Sequence, residues 1–300
     1  MEIAHCVSII IPVHNRREIT LRCLATLRHQ GVFKQYSVIV VDDGSTDGTA
    51  LSIQTNFPEV MIVPGDGNLW WTGAIALGMK VAYDQGADYF LWLNDDVVPA
   101  AGAISTLVTY CQHNSRCLAS AQCYADTEFK QPTYGGQVRR RFSTHLIAAA
   151  DSEVLSCDCL SGNLVCLPRS VVDDLGFPPA DVLPHCSADI VYTWEAKKAG
   201  YDVKVIGDAK AVCELNPLLE GWSSSAIPML NWWRSMGSYR SSLHVPTNWR
   251  FCLRFYGWQG IYPFCRSYIM LTGFTLLRAI LPISIVKRLK RVKDRISEKF

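Results

Sequence analysis

The sequence predicts an α/β fold, a mostly parallel sheet flanked by helices, and three observations carry that prediction. Apolar runs rich in β-branched or aromatic residues recur at Val7–Val13, Ser37–Val41 and Tyr89–Leu93. Each reads as a strand buried on both faces. Segments with apolar residues at helical spacing lie between them, and the alternation of strand and helix is that of a sheet covered on both sides. Each run also ends on polar or acidic residues, and ligands of open α/β sheets sit outside the carboxyl ends of the strands.

The first run, VSIIIPV, ends at Pro12 and Val13 and is followed by His14 and Asn15. Leu21, Leu24 and Leu27 then predict a helix over Glu18–His29. The second run enters a turn-rich loop, Asp42-Asp43-Gly44-Ser45-Thr46-Asp47-Gly48, where Ser45 or Thr46 is expected to cap the next helix. Val60–Val63 reads as a third short strand, and Thr72–Gln85 as a helix with Gly86 just past its end. The fourth strand, Tyr89–Leu93, runs into Asn94-Asp95-Asp96. Asn15, Asp42, Asp43, Asp95 and Asp96 are therefore expected to share one cleft although they are far apart in the chain.

The middle, Ala101–Val154, is less regular; Thr133–Phe142 reads as a glycine-containing turn and an edge strand. Leu160–Leu167 reads as a strand, Arg169–Leu175 as a short helix, Ala188–Ala199 as a helix closed by Gly200, and Val203–Ile206 as a further strand. The character changes after about Leu218. Residues Ala226–Arg254 are rich in Trp, Arg and Ser, and Ser267–Val286 is a mostly apolar stretch near membrane-spanning length. Arg278 and Pro282 within it argue against a clean transmembrane helix. It reads either as an in-plane interfacial helix or as a helix packed on the catalytic domain. The expected organisation is a domain over 1–218, with a nucleotide-binding half (1–100) and an acceptor half (101–218), then a helical extension over 219–300.

The 300 residues are 49% hydrophobic and 19% charged, with a formal net charge of +2. Mean hydropathy is slightly positive, +0.10. That balance supports a substantial core and provides no global field for nucleic acid. The last fourteen residues are locally basic, with Lys287, Arg288, Lys290, Arg291, Lys293, Arg295 and Lys299 against Asp294 and Glu298. Such a tail fits contact with an anionic membrane surface. Met1–Ser8 lacks the pattern of a secretory signal. The 12 cysteines, such as Cys6, Cys166 and Cys213, sit mostly in apolar runs and read as reduced thiols of a cytoplasmic protein. Cys157 and Cys159 lack the paired spacing of a zinc site.

The chemistry concentrates in two acidic strand ends, Asp42-Asp43 and Asp95-Asp96, about fifty residues apart in a βαβ series. A cluster of carboxylates repels itself unless a cation or hydrogen-bond donors compensate. Hard oxygen ligands suit Mg2+ or Mn2+, which would in turn hold a diphosphate. Asp47 reads as a loop and capping residue.

The run VSIIIPVHNR, then VIVVDDGSTDGT, then WLNDDV, resembles family 2 glycosyltransferases, which have the GT-A fold with its Rossmann-like, mostly parallel sheet. The resemblance covers roughly Val7–Val212, and GDGNLWWTGAIALGMKVA resembles the bacterial branch that includes rhamnosyltransferase-like enzymes of surface polysaccharide assembly. It implies a nucleotide pocket lined by Pro12, His14 and Asn15, with Asp42 on the base and Asp43 shaping the loop. Asn94-Asp95-Asp96 matches the D-x-D element, with Asn in its first position. Asp95 would face the ribose or the metal's waters, and Asp96 would ligate Mn2+ or Mg2+. Asp189, in the first turn of its helix, is the implied catalytic base, with an N-terminal cap as its alternative role. Asn68 and Gly73 are placed with the donor; Trp71, Gly162, Asn163 and His185 are candidates for the acceptor side, with core packing open as their other role.

These assignments imply single displacement with inversion, from a nucleoside diphosphate sugar to a glycan or lipid-linked glycan. The implied location is cytoplasmic, peripheral on the inner face of the membrane. A sugar nucleotidyltransferase is the rival enzyme, but its glycine-rich phosphate loop is replaced here by PVHNRRE. A non-catalytic nucleotide-sugar-binding protein is the other rival, and Asp42, Asp96 and Asp189 argue against it. A membrane-anchored scaffold would leave the acidic strand ends unexplained.

Overall fold

A computed structural model of the chain describes residues 6–215 and 229–281. Met1–Glu214 and Leu215–Phe300 form separate compact units. The first begins with β1 (Val7–Val13), α1 (Arg17–His29), β2 (Ser37–Asp42), α2 (Thr49–Asn56), β3 (Met61–Pro64), α3 (Trp70–Asp84) and β4 (Tyr89–Leu93). Strands β1, β2, β3 and β4 pair in parallel, with β1 between β2 and β4. Side chains alternate across the sheet. Ile9 and Ile11 meet Leu24 and Leu27 of α1 on one face, while Ile10 meets Ile75 and Met79 of α3 on the other.

The region that looked irregular in sequence is ordered. After β5 (Val98–Pro99) come α4 (Ala103–His113), β6 (Cys117–Tyr124), β7 (Pro132–Tyr134), β8 (Gly136–Arg139), β9 (Thr144–Leu146) and β10 (Val154–Ser156). All of β6 is buried, yet its Ala, Ser, Gln and Cys residues dilute the β-branched signal that marks β1 and β2. Then follow β11 (Cys159–Leu160), β12 (Leu164–Pro168), α5 (Arg169–Leu175), α6 (Ala188–Lys198) and β13 (Asp202–Val212). The main sheet runs β10-β13-β6-β12-β4-β1-β2-β3. Strand β12 is antiparallel to both of its neighbours, β4 and β6, and β13 pairs in parallel with β6. The carboxyl ends of β1, β2, β4, β6 and β13 therefore share one edge with the start of β12.

Three sequence expectations change. The single strand expected over Leu160–Leu167 is split: β11 pairs with β8 in a small sheet and β12 joins the large one. The break falls at Ser161-Gly162-Asn163, where the Gly162 N–H is taken by the Asp189 carboxylate. The expected strand Val203–Ile206 extends to Val212 through a register shift after Ile206. There Gly207 passes so close to Ala150 that a Cβ would lie 1.7 Å from its carbonyl oxygen. Finally, neither Ser45 nor Thr46 caps α2. Gly48, at φ 82°, occupies that position, and Asp47 accepts the Thr49 N–H at 3.1 Å.

The second unit contains α7 (Met229–Ser235), α8 (Val245–Tyr256) and α9 (Ile261–Ile280). Trp232, Leu243 and Leu271 form its small core, with Met236 packed against them. No helix among the described residues is long and apolar enough to cross a membrane. Residues 226–228, Pro282–Val286 of the apolar stretch and the basic tail from Lys287 lie outside the described residues.

Helix α3 lies directly on the sheet at Gly78, where a Cβ would meet Ile10 Cγ2 at 2.5 Å and Val41 Cγ2 at 3.0 Å. Both neighbours are stiff, β-branched side chains. Overpacking of this kind costs about 1–3 kcal/mol, against a gain of about 1 kcal/mol in helix propensity. Gly78→Ala is expected to lower the unfolding free energy by about 1–2 kcal/mol in urea titration. An unchanged or raised midpoint would show that α3 can lift off the sheet.

Candidate active site

At the end of β2, Asp42 and Asp43 are each 5% exposed. Asp43 Oδ1 accepts the Gly67 N–H at 2.8 Å and its Oδ2 accepts the Trp70 N–H at 3.0 Å. The carboxylate thus pins the loop leading into α3, and Trp70 is held there at φ 56°. Left-handed backbone in a bulky residue is rare and concentrates at functional sites. Asp42 Oδ1 accepts the Ser45 N–H at 3.0 Å; its other oxygen receives no hydrogen bond among the described residues.

The end of β1 is stitched to this loop. Asn15, also left-handed at φ 52°, donates its N–H to Ser45 Oγ and accepts the Thr46 N–H at Oδ1. His14 Nδ1 faces the Asp43 carbonyl, which only accepts, so that nitrogen carries the proton. His14 Nε2 then accepts from Asn15 Nδ2 at 3.0 Å. Pro12 is a partly buried member of β1, in register with Val41. Asn68 is exposed on the loop, its N–H given to Asp66. Gly73 lies in the first turn of α3. A Cβ there would meet Leu69 at 3.2 Å and Ala180 at 3.8 Å, so its small size serves packing of α3.

At the end of β4, Asp95 is 3% exposed and Asp96 is exposed. Asp95 accepts from Thr20 Oγ1 at 2.9 Å and from Arg16 Nη1 at 3.0 Å. Arg16 Nη2 reaches Asp96 at 2.9 Å. One guanidinium therefore bridges both carboxylates. Burial pushes the Asp95 carboxyl up, and Arg16 and Thr20 pull it back only partly, leaving it at about 6. Burial also opposes the charge on Arg16, but Asp95 and Asp96 outweigh it and raise its pKa. Neither Arg16 nor Thr20 stood out in the sequence. A signal was present in the basic pair following the first strand, but only the pairing of β1 with β4 shows which acids it meets.

Among the described residues, no group of three or more His, Cys, Asp or Glu side chains could hold a metal. Asp95 is engaged by Thr20 and Arg16, whereas Asp96 keeps one oxygen without a hydrogen bond among the described residues. Mg2+ is commonly held by one or two carboxylates plus water and substrate phosphates. The donor set fits a cation completed by a diphosphate, with Asp96 as its protein ligand, rather than a preformed cage.

Asp189 is the second residue of α6, which follows Ser187 at φ 67°. Its Oδ2 accepts the Gly162 N–H at 2.7 Å and its Oδ1 the Ile190 N–H at 2.9 Å. Crowding by protein atoms raises its pKa despite these two donors, although part of the residue's surface remains accessible. Gly162 links this carboxylate to the turn after β4. Its neighbour Asn163 accepts the Asn94 N–H at its carbonyl, and the Trp71 indole fills the space where a Gly162 side chain would stand. Trp71 Nε1 donates to Asn94 Oδ1 at 2.7 Å, so Asn in the first position of the D-x-D element serves the indole. Asp42, Asp96 and Asp189 therefore lie along the same edge of the sheet. His185 joins through a long contact from the Trp71 N–H, 3.4 Å, and an edge-on ring contact with Trp70. Asn163 is 9% exposed and turns its amide to Cys213 Sγ. Cys213, at the end of β13, is a further residue of this edge; burial pushes its thiol up to about 12.

A Cβ on Gly162 would lie 2.6 Å from Trp71 Cζ2 and 3.0 Å from Asp189 Cβ. Gly162→Ala is expected to cut turnover about tenfold or more by displacing both groups, because an ångström of misplacement is enough for losses of that order. Steady-state kinetics beside a thermal melt will check this, and turnover at the wild-type level would show that the indole yields freely.

Comparison with known proteins agrees with this geometry. The profile of glycosyl transferase family 2 matches residues 8–164, more than half of the chain. No curated protein matches the sequence. Among solved structures, a mannosyltransferase from Pyrobaculum calidifontis, in complex with GDP-Man and Mn2+, shares the fold at a TM-score of 0.57 and 15% identity; the match covers 97% of this chain and 80% of that one. GalNAc-T7 with UDP, GalNAc and Mn2+ matches at a TM-score of 0.58 and 12% identity, over 91% of this chain and 57% of that one. From the strand-end motifs, the mixed sheet that gathers them and the profile spanning both acidic ends, it follows that this chain is a glycosyltransferase and belongs to glycosyl transferase family 2.

Proposed function

We propose that the protein transfers one sugar from a nucleoside diphosphate donor to an acceptor hydroxyl, with inversion at the anomeric carbon. The observation that carries this reading is the seat of Asp189. Its carboxylate is poorly solvated, held by the Gly162 N–H, and tied through Gly162 and Trp71 to the Asn94-Asp95-Asp96 turn. The mannosyltransferase bound to GDP-Man and GalNAc-T7 bound to UDP support the donor class, and the Mn2+ in both supports a divalent cation.

Asp42 and the end of β1 hold the nucleotide, and Asp43 keeps the loop before α3 in place. Asp96 holds the cation, which when bound neutralises charge on the diphosphate. Asp189 accepts the proton of the acceptor hydroxyl as that oxygen bonds to the anomeric carbon. The bond from that carbon to the diphosphate oxygen breaks in the same step, and the nucleoside diphosphate leaves with the electron pair. Trp71 and His185 orient the acceptor over the carboxylate. The acceptor is a glycan or a lipid-linked glycan of bacterial surface polysaccharide assembly, the lipid-linked form meeting the enzyme at the inner membrane face. Support comes from α9, on which Ile269, Leu276 and Ile280 are exposed.

Asp189→Asn keeps the size, gives up one of the two backbone hydrogen bonds and removes the base. Transfer is expected to fall by about a hundredfold or more, the range for general base catalysis, while donor binding measured by calorimetry with Mn2+ stays near wild type. Near-normal turnover would show that another group takes the proton. The pH dependence follows from the raised pKa of Asp189. Only the ionised carboxylate accepts a proton, so kcat/KM falls as pH drops through that pKa. The fall is expected above the ordinary carboxylate value of about 4. A profile flat down to that value would assign the proton transfer elsewhere.

A further inference from the structure

Arg16 is placed where a cation belongs. Its guanidinium spans the buried Asp95 and the exposed Asp96, at 3.0 and 2.9 Å. A dication arriving at Asp96 meets this positive charge on the same carboxylate and finds no third acidic or histidine ligand among the described residues. We propose that Arg16 is a positioning residue that makes cation binding conditional on the donor: it holds the Asp95-Asp96 turn ready, weakens binding of the metal alone, and leaves the diphosphate charges to tip the balance.

Asp95 faces a cation less freely than Asp96, because it is 3% exposed and each of its oxygens already meets a donor, Thr20 or Arg16, inside the protein. Asp96 contributes its remaining oxygen, with Arg16 still on the other. A diphosphate adds negative oxygens that both the cation and the guanidinium attract. Nucleotide and metal then raise each other's affinity by the same factor, as linkage requires. The donor arrives with its cation, and the resting enzyme is spared metal bound without substrate. This inference rests on the nucleotide-sugar reading of the site, which the control below tests separately.

The test is Mn2+ binding followed by electron paramagnetic resonance, with and without UDP or GDP, on the wild type, Arg16→Gln and Arg16→Lys. Circular dichroism verifies folding. The wild type is expected to bind Mn2+ weakly alone and about tenfold or more tighter with nucleoside diphosphate, given the strength of charge pairs at such distances. Arg16→Gln is expected to bind Mn2+ alone about tenfold tighter than the wild type, and to show a smaller gain from nucleotide. Arg16→Lys, which keeps the charge, should resemble the wild type. Loss of a merely structural contact would not tighten metal binding. Equal or weaker Mn2+ affinity in folded Arg16→Gln overturns the inference while nucleotide-dependent binding in the wild type leaves the functional reading standing. A wild type whose Mn2+ affinity ignores nucleotide overturns the inference even if Arg16→Gln does not fold. A wild type that binds neither nucleotide nor Mn2+ under any condition overturns both.

Discussion

Negative charge gathered at one edge of a parallel sheet is the constraint around which this site is organised. Two acidic pairs, Asp42-Asp43 and Asp95-Asp96, emerge from β2 and β4. Left alone they would repel one another and resist burial. Strand β1 lies between those two strands, and its carboxyl end supplies compensation to both sides. His14 and Asn15 tie down the β2 loop, while Arg16 spans the acids after β4. The central strand of the nucleotide half thus also carries its electrostatic keystone. The unusual backbone of Asn15 is a consequence, because the chain must turn at once to face both neighbours.

The second half reaches this edge through packing rather than charge. Gly162 lacks a side chain, so the Trp71 indole and the Asp189 side chain close on it. The indole then donates to Asn94, and the carboxylate accepts from Gly162 itself. The Asp189 carboxylate on α6 is thereby set at a defined position relative to the turn after β4, with few adjustable torsions between them. Rigid support of this kind is what a displacement needs, because the reacting groups must be held in line. The same crowding removes water from Asp189 and leaves its carboxylate a better proton acceptor than one in solvent.

Much of the nucleotide half was legible from residues alone. The runs VSIIIPV, SVIVV and YFLWL became β1, β2 and β4 because β-branched and aromatic side chains suit a sheet buried on both faces. Their acidic ends pointed to the cleft for a topological reason, since parallel strands deliver their carboxyl ends to one edge. The acceptor half was harder. Leu160–Leu167 looked like one strand because apolar residues stand at both of its ends, and no periodicity records that Gly162 gives its N–H to a carboxylate twenty-seven residues away. Strand β6 was hidden by small and polar residues that are buried because elements packed on the sheet's faces, α4 among them, cover them.

By itself, then, the sequence determined the α/β class, the order of the nucleotide half, the acidic strand ends and the candidacy of Asp189, because these follow from local pattern and from the way parallel strands align. The tertiary structure alone decided that Arg16 and Thr20 hold the acids of β4, that Gly73 packs a helix, and that Asn94 receives the Trp71 indole. Those outcomes depend on contacts between residues distant in the chain, which exist only once β12 runs antiparallel beside β4 and β1 settles between its two acidic neighbours.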